Sequence, residues 1–317
     1  MTRSAVSILI LACAFVACGS EAPPTGADHT SPVTEAPSTV PSGSADAGPS
    51  PSTPSPDAHR VSVLQFNVLH GFPDFKDLDA RTKITADTIK ALAPDFVLVQ
   101  EIGQSALLPN RASVLASMTG YEWHWKKASG VAGVFEEGPG ILSRWPLVWK
   151  DGVTLPHTTN FGLATRVVCA ARAQTPFGEV QLFSAHLSDE NDETISADQA
   201  KTALDYIAAH PSPLPGFLAG DMNASPDALA MRVMRGDATY QGTKGNLIDA
   251  WATVHPTDPG YTEPNTSPNH RIDYVYAVPG STSTKAKVEE CKIVFDTPVG
   301  GIYASDHLGV FCTFSVP

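Results

Sequence analysis

The chain has 317 residues, with 21 Lys and Arg against 33 Asp and Glu and a formal net charge of −12. From residue 59 onward the balance is 20 basic to 28 acidic. The composition therefore gives no general pull toward nucleic acid, whose sequence-independent binding rests on Lys and Arg neutralising phosphates. A processive DNA binder is disfavoured, whereas an enzyme that meets a phosphate through one local site is not.

Arg3 supplies a positive start, and Ala5 to Ala17 is an almost wholly apolar stretch of 13 residues. That is too short to span a bilayer and suits a secretory signal peptide. Cys18, preceded by Ala17 and followed by Gly19-Ser20, resembles the lipidation site of bacterial lipoproteins, although Phe15 and Val16 depart from that pattern. The expectation is a signal peptide over 1–18 and a lipid anchor on Cys18. The protein would then sit on the outer face of a bacterial membrane or in the periplasm, with secretion as the alternative. Residues 19–58 are Pro, Ser, Thr, Ala, Gly and a few acids, which cannot bury enough apolar surface to offset the entropy of ordering and read as a disordered tether. No second linker divides residues 59–317, which read as one catalytic domain acting as a monomer.

Strand length and composition mark residues 61–68, 95–100, 140–143, 166–173, 179–185, 216–219, 272–278, 288–295 and 308–316. The alternation in Glu122-Trp123-His124-Trp125 reads as a further strand face. Thr85, Ile89 and Leu92 have helical spacing before Pro94, and Ala200, Leu204 and Ile207 repeat it before Pro211. Ser196 with Gln199 has the form of a capping box, and Ser225-Pro226 that of an N-cap with proline at N1 opening a third helix. About nine strands and three helices imply two packed sheets with helices outside. Cys169, Cys291 and Cys312 allow at most one disulfide in three pairings. Cys291 and Cys312 lie on late strands, where a bond between them and buried free thiols both fit.

Six short segments carry the chemistry: Phe66-Asn67-Val68, Val99-Gln100-Glu101, Ser184-Ala185-His186-Leu187, Gly220-Asp221-Met222-Asn223, Arg271-Ile272-Asp273-Tyr274 and Ser305-Asp306-His307. Most end or follow an apolar run, so a sheet would deliver them to one edge. Such an edge offers oxygen ligands for a hard cation, groups to align and deprotonate water, and donors for phosphate oxygens. With Gly140-Ile141-Leu142-Ser143-Arg144 and Asp249-Ala250-Trp251 they occur in the order seen in the endonuclease/exonuclease/phosphatase superfamily, which the chain resembles from His59 to Pro317. That group includes deoxyribonuclease I, exonuclease III, inositol-polyphosphate 5-phosphatases and neutral sphingomyelinases.

The resemblance implies a deoxyribonuclease I-like, four-layer α/β sandwich of two packed mixed sheets flanked by helices, and a metal-dependent phosphoric ester hydrolase. It assigns Asn67, Glu101 and Asp306 to Mg²⁺ or Mn²⁺. His307 would activate water or contact phosphate, with Asp273 orienting its ring. Asp221 would align the water, Asn223 and His186 would donate to non-bridging oxygens, and Arg166 would touch phosphate. Asp249 and Thr262 read as buried packing residues, Arg144 as a pairing residue, and His70-Gly71 as shaping the loop after the first strand. Leu69 stands where the repair nucleases often place an aspartate, so their substrate is not carried over. Extracellular nucleic acid, phospholipid head groups and inositol phosphates all stay open. A calcineurin-like phosphoesterase would need Gly-Asn-His and a late Gly-His-x-His, both absent. The non-enzyme alternative is a surface binding or targeting module that keeps the fold without the chemistry.

Overall fold

The computed structural model describes residues 58–157, 164–190, 192–282 and 284–317. The expected signal peptide, Cys18 and all but the last residue of the tether lie outside the described residues. In chain order the elements are β1 (His59–Asn67), α1 (Leu78–Leu92), β2 (Phe96–Gln104), α2 (Arg111–Thr119), β3 (Glu122–Trp125), β4 (Ser129–Val131), β5 (Phe135–Ser143), β6 (Leu147–Thr154) and β7 (Val167–Thr175). There follow β8 (Gly178–His186), α3 (Glu193–Ala209), β9 (Gly216–Asp221), α4 (Leu229–Arg235), β10 (Ile248–Asp249), α5 (Ala250–Val254), β11 (Asp273–Val278), β12 (Lys287–Val294) and β13 (Gly309–Val316).

One sheet has the order β12-β13-β1-β2-β5-β3, with β4 also on β5, and the other β10-β11-β9-β8-β7-β6. Each contains one parallel pair, β1 with β2 and β8 with β9, whose crossovers carry α1 and α3. Strand period sorts the core into three layers. Val61 and Val63 of β1, Phe96 and Leu98 of β2, Leu182 of β8 and Phe217 of β9 pack between the sheets. Their alternates Leu64, Phe66, Val97 and Val99 pack on Ile89 of α1 and Leu115 of α2. Phe183 and Leu218 pack on Leu204 of α3 and Met231 of α4. The expected four-layer sandwich is the observed one.

Several boundaries differ from the sequence reading. The exposed residues of β6, a sheet-edge strand, and the short, Ser-rich α2 give little periodic signal and were not anticipated, nor were β4 and β10. The capping box at Ser196 is absent. Asp192 caps α3 by accepting from Thr194 N, Ser196 lies inside the helix, and Gln199 accepts from Ser188 N and donates to the Pro156 carbonyl. Ser225-Pro226 forms a turn closed by Ala228 N to the Ser225 carbonyl, and α4 starts only at Leu229.

Cys291 and Cys312 face each other in the β12–β13 register and are bonded, while Cys169 is buried and free, its thiol pushed up by burial. The bond closes a sequence separation of 21 residues, which in the chain-entropy description constrains the unfolded state by about 3 kcal/mol. Thiol titration of the unreduced, denatured domain should therefore find Cys169 alone of these three. Reduction should lower unfolding stability by about 3 kcal/mol.

Candidate active site

The faces between the sheets stay apolar along most of each strand and turn polar at one end. On β1 the series Val61, Val63 continues to Gln65 and Asn67; on β2 Phe96 and Leu98 lead to Gln100. On β8 Val180 and Leu182 lead to Ser184 and His186, on β9 Phe217 and Ala219 to Asp221, and Asp273 begins the corresponding face of β11. Register places His186, Asp221 and Asp273 side by side across β8, β9 and β11. Asn67 comes from the facing sheet, and its Nδ2 donates to Asp221 Oδ2 and to Glu101 Oε1, both at 3.0 Å. Glu101 would point to the helix side by strand period. Its left-handed φ of 57° coincides with the break in β2–β5 register between Val99 and Ile102 and re-aims it toward Asn67.

The turn after β1 is fixed in the same way. Asn67 Oδ1 accepts from Leu69 N, the left-handed Leu69 is held by Arg111 Nη1 donating to the Val68 and Leu69 carbonyls at 2.8 and 2.9 Å, and His70 N donates to Glu101 Oε2 at 3.0 Å. The loop-shaping role read for His70 is borne out by its Nδ1 accepting from Phe72 N. Burial opposes ionisation of Glu101, but His70, His186 and the hydrogen bonds from Asn67 and His70 N hold its carboxyl at about 2. The two hydrogen bonds, from Asn67 Nδ2 and His70 N, act on the carboxylate whatever the protonation of the rings.

Arg166 donates to His186 Nδ1 at 3.1 Å and to Asp189 Oδ1 at 3.2 Å. A guanidinium only donates, so Nδ1 is the acceptor and Nε2 carries the proton. Burial, then the Arg166 charge, push His186 well below the ordinary imidazole range. Its Nε2 lies 3.2 Å from Asn223 Nδ2, so two donors stand side by side, an arrangement suited to a phosphate oxygen. Asn223 is held there by a left-handed φ, by its N–H to Asp221 Oδ1 and by its amide to the Leu187 carbonyl.

His307 donates Nδ1–H to Asp273 Oδ2 at 2.9 Å, and its Nε2 is 3.7 Å from Asp221 Oδ2. Burial works against the charged ring, but Asp273 and Asp221 overcome it and raise His307 to about 11. Burial, with Asp273 beyond it, raises Asp221 to about 7 even though the His307 charge pulls the other way. Asp221, Asp273 and His307 also form a compact acidic-histidine cluster, their candidate ligand atoms within 4.8 Å of one another. A ring protonated at both nitrogens has no lone pair for a cation, so this cluster fits acid-base work better than ligation. The ionised Glu101 and the Asn67 amide offer hard oxygens at the same edge, which fits Mg²⁺ or Mn²⁺. Asp306 is exposed at the rim, accepting from Ser305 Oγ, in the electrostatic neighbourhood of Arg81 and His307.

Sequence reasoning missed the groups beneath this edge. Gln65 Nε2 donates to Asp273 Oδ1 at 2.7 Å and to Gln100 Oε1 at 2.9 Å. Gln100 Nε2 donates to Ser184 Oγ at 3.1 Å, which donates to the Val99 carbonyl. All three residues are buried. A polar residue inside an apolar strand, two before the motif residue for Gln65 and Ser184 and next to it for Gln100, is the signal that marks them. Glu137, buried in reach of Glu101 and Arg166 and pushed up by burial, was also missed. Asp249 caps α5 and pairs with Arg271, and Arg144 pairs with Asp95.

The profile of a family described as Endonuclease/Exonuclease/phosphatase family matches residues 64–307. No curated protein sequence matches. Among solved structures, D. rerio TDP2 complexed with single strand DNA product is similar at TM-score 0.64 and 20% identity, over 80% of this chain and 98% of that one. An endonuclease/exonuclease/phosphatase from Beutenbergia cavernae is similar at 0.59 and 22%, over 81% and 72%. One from Bacteroides vulgatus is similar at 0.64 and 15%, over 82% and 100%. These likenesses establish the fold.

Gln65→Leu removes the donor to a buried carboxylate. It should cost about 1–3 kcal/mol in stability and lower turnover as Asp273 loses its fixed orientation, measured by urea unfolding and steady-state kinetics on the same preparation.

Proposed function

The chain belongs to the endonuclease/exonuclease/phosphatase family and is a phosphoric ester hydrolase, and on that premise we propose an exported, Mg²⁺- or Mn²⁺-dependent phosphodiesterase working by in-line attack of water. The observation that carries this reading is the register that sets His186, Asp221 and Asp273 in one row, with His307, Asn67 and Glu101 closing over it. A binding module that had lost the chemistry would be expected to lack some of these side chains. None is missing.

Asn67, Glu101 and, from the rim, Asp306 would hold the cation, which when bound polarises the phosphate and offsets its charge. Asp221, raised to about 7, is matched to taking a proton from water near neutral pH. His307, charged between Asp273 and Asp221, donates from Nε2 to the phosphoryl group as negative charge builds there. His186 Nε2–H and the Asn223 amide supply further donors, in the manner of an oxyanion hole. Arg166 acts through His186 by fixing which nitrogen carries the proton. The P–O bond to the leaving alcohol breaks opposite the attacking water, its oxygen taking a proton from solvent, and no side chain need become covalently linked to phosphorus.

Extracellular nucleic acid and phospholipid or inositol phosphate head groups are the candidate substrates. TDP2 with its single-strand DNA product supports a phosphodiester in such a fold, while the acidic balance of residues 59–317 gives no electrostatic support for long nucleic acid. The bonded Cys291 and Cys312 support an oxidising compartment.

Chelation by EDTA should abolish hydrolysis of a diester panel, and Mg²⁺ or Mn²⁺ should restore it; full turnover by metal-free protein would refute the metal assignment. His186→Ala, Asp221→Asn and His307→Ala should each lower kcat by about 10² or more, with Asp273→Asn a weaker version of the His307 defect and Glu101→Ala needing far more metal. Wild-type kcat in His307→Ala would remove that residue from the site.

We also propose that Cys18 carries the anchor. Membrane fractionation should find wild type bound and Cys18→Ser soluble or unprocessed, with a chain starting at Ala58 soluble and fully active. A Cys18→Ser protein processed and bound like wild type would rule out lipidation there.

A further inference from the structure

Two arginines lie buried behind the proposed cation ligands, Arg81 on α1 and Arg111 on α2, each 5% exposed. Arg111 Nη1 is used by the Val68 and Leu69 carbonyls, while its Nε and Nη2 have no partner among the described residues. Arg81 Nε and Nη2 are likewise buried without a partner. Neither guanidinium forms an ion pair among the described residues. Arg81 Nη2 lies against the left-handed turn at Gly71, where an added Cβ would stand 2.8 Å from it. His70, one residue earlier, donates its N–H to Glu101 Oε2 at 3.0 Å.

A buried charge without a counter-charge is costly. Here the carboxylates near enough to offset it are the ones a cation would use. Burial lowers the Arg81 guanidinium, and the charges that oppose this are Asp306, Glu101 and Asp77, the last exposed to water. Burial and then the Arg81 charge push Arg111 down to about 9 against the pull of Glu101. Glu101 and Asp306 therefore offset guanidinium charge before any cation arrives. A divalent ion placed on them meets two fixed positive charges, feels each twice as strongly as a monovalent ion would, and has little water between to screen them. An anionic phosphate ester beside the ion supplies negative charge and further oxygen ligands, the usual way in which Mg²⁺ is completed in sites of one or two carboxylates.

We propose that Arg81, with Arg111 behind it, holds down the affinity of the Glu101 edge for its divalent cation, so that the cation is taken up together with the anionic ester and is not kept as a resident ion. This inference rests on the reading of the edge as a metal-dependent phosphoesterase site. Linkage makes the coupling reciprocal, so the factor by which the anion tightens the cation is the factor by which the cation tightens the anion.

The test is Mn²⁺ titration of the full chain, read from the paramagnetic resonance signal of the free ion, with and without dimethylphosphinate, a phosphodiester mimic that has no ester bond to cleave. Dimethylphosphinate should tighten Mn²⁺ binding to wild type at least about 10-fold. Arg81→Met keeps an apolar stem and removes the charge, and Arg81→Gln is a second neutral variant; each should tighten Mn²⁺ binding at least about 10-fold in the absence of the anion. Arg81→Lys, which keeps the charge, should not. A merely structural role predicts the reverse, since a disturbed edge binds metal more weakly. The inference is overturned if wild type binds Mn²⁺ equally well with and without the anion, if the neutral variants bind it no tighter than wild type, or if neither neutral variant folds, because the arginine is then required for structure. Glu101→Ala should lose Mn²⁺ binding under both conditions. Mn²⁺ held undiminished by Glu101→Ala would refute the metal assignment of the proposed function, whereas tight, anion-independent binding that needs Glu101 would overturn the present inference alone.

Discussion

The catalytic edge depends on a set of buried hydrogen bonds that join one sheet to the other. Asn67 reaches across to Asp221, Gln65 to Asp273 and Gln100 to Ser184. Two carboxylates next to each other in a water-poor interior repel and would either protonate or open the structure. Here each carboxylate is given a fixed amide donor from the facing sheet, and His307 contributes a positive charge to both. The sheets therefore close only in the register that completes these pairs, and that same register defines the site. Below the edge the contact is apolar, with Phe217 against both Phe96 and Phe314, so burial supplies cohesion and the polar layer supplies position.

A second constraint is local. Leu69, Glu101 and Asn223 all adopt left-handed backbone conformations that side-chain-bearing residues avoid, each at a cost of order 1 kcal/mol or more. Each is pinned: Leu69 by Asn67 Oδ1 and Arg111, Glu101 by the Asn67 amide and His70 N, Asn223 by Asp221 and the Leu187 carbonyl. Leu69 shows what this does for function. An aspartate at that position would bring a further charge, whereas Leu69 contributes backbone shape only.

How far the sequence could be read follows from what each residue type does locally. The strands ending in Asn67, His186 and Asp221 were legible because period 2 carries an apolar face up to a polar terminus, and the crossover helices because their spacing stops at Pro94 and Pro211. The linking roles of Gln65, Gln100 and Ser184 were not legible since a polar residue within a strand usually faces solvent, and only the pairing of two distant sheets turns it inward. Ser196 and Gln199 imitated a cap because spacing alone does not say where a side chain is used. Gln199 is used in tertiary contacts with Ser188 and Pro156. The role of Arg166 was equally hidden, because the hydrogen bond to His186 that gives it meaning forms only after β7 and β8 pair.

The pairing of β1 with β13 matches His59 with Val316, while Asn67 lies at the opposite end of β1. The eight rises of roughly 3.3 Å along β1 put about 26 Å between the point where the chain enters the domain and the catalytic edge, and the chain leaves from that same remote end. The two ends of the domain are thus neighbours, far from the chemistry. Joining them with a short linker would leave every pairing at the edge intact, and in the present chain order either end can bear a fused partner or a solid support without crowding the phosphate.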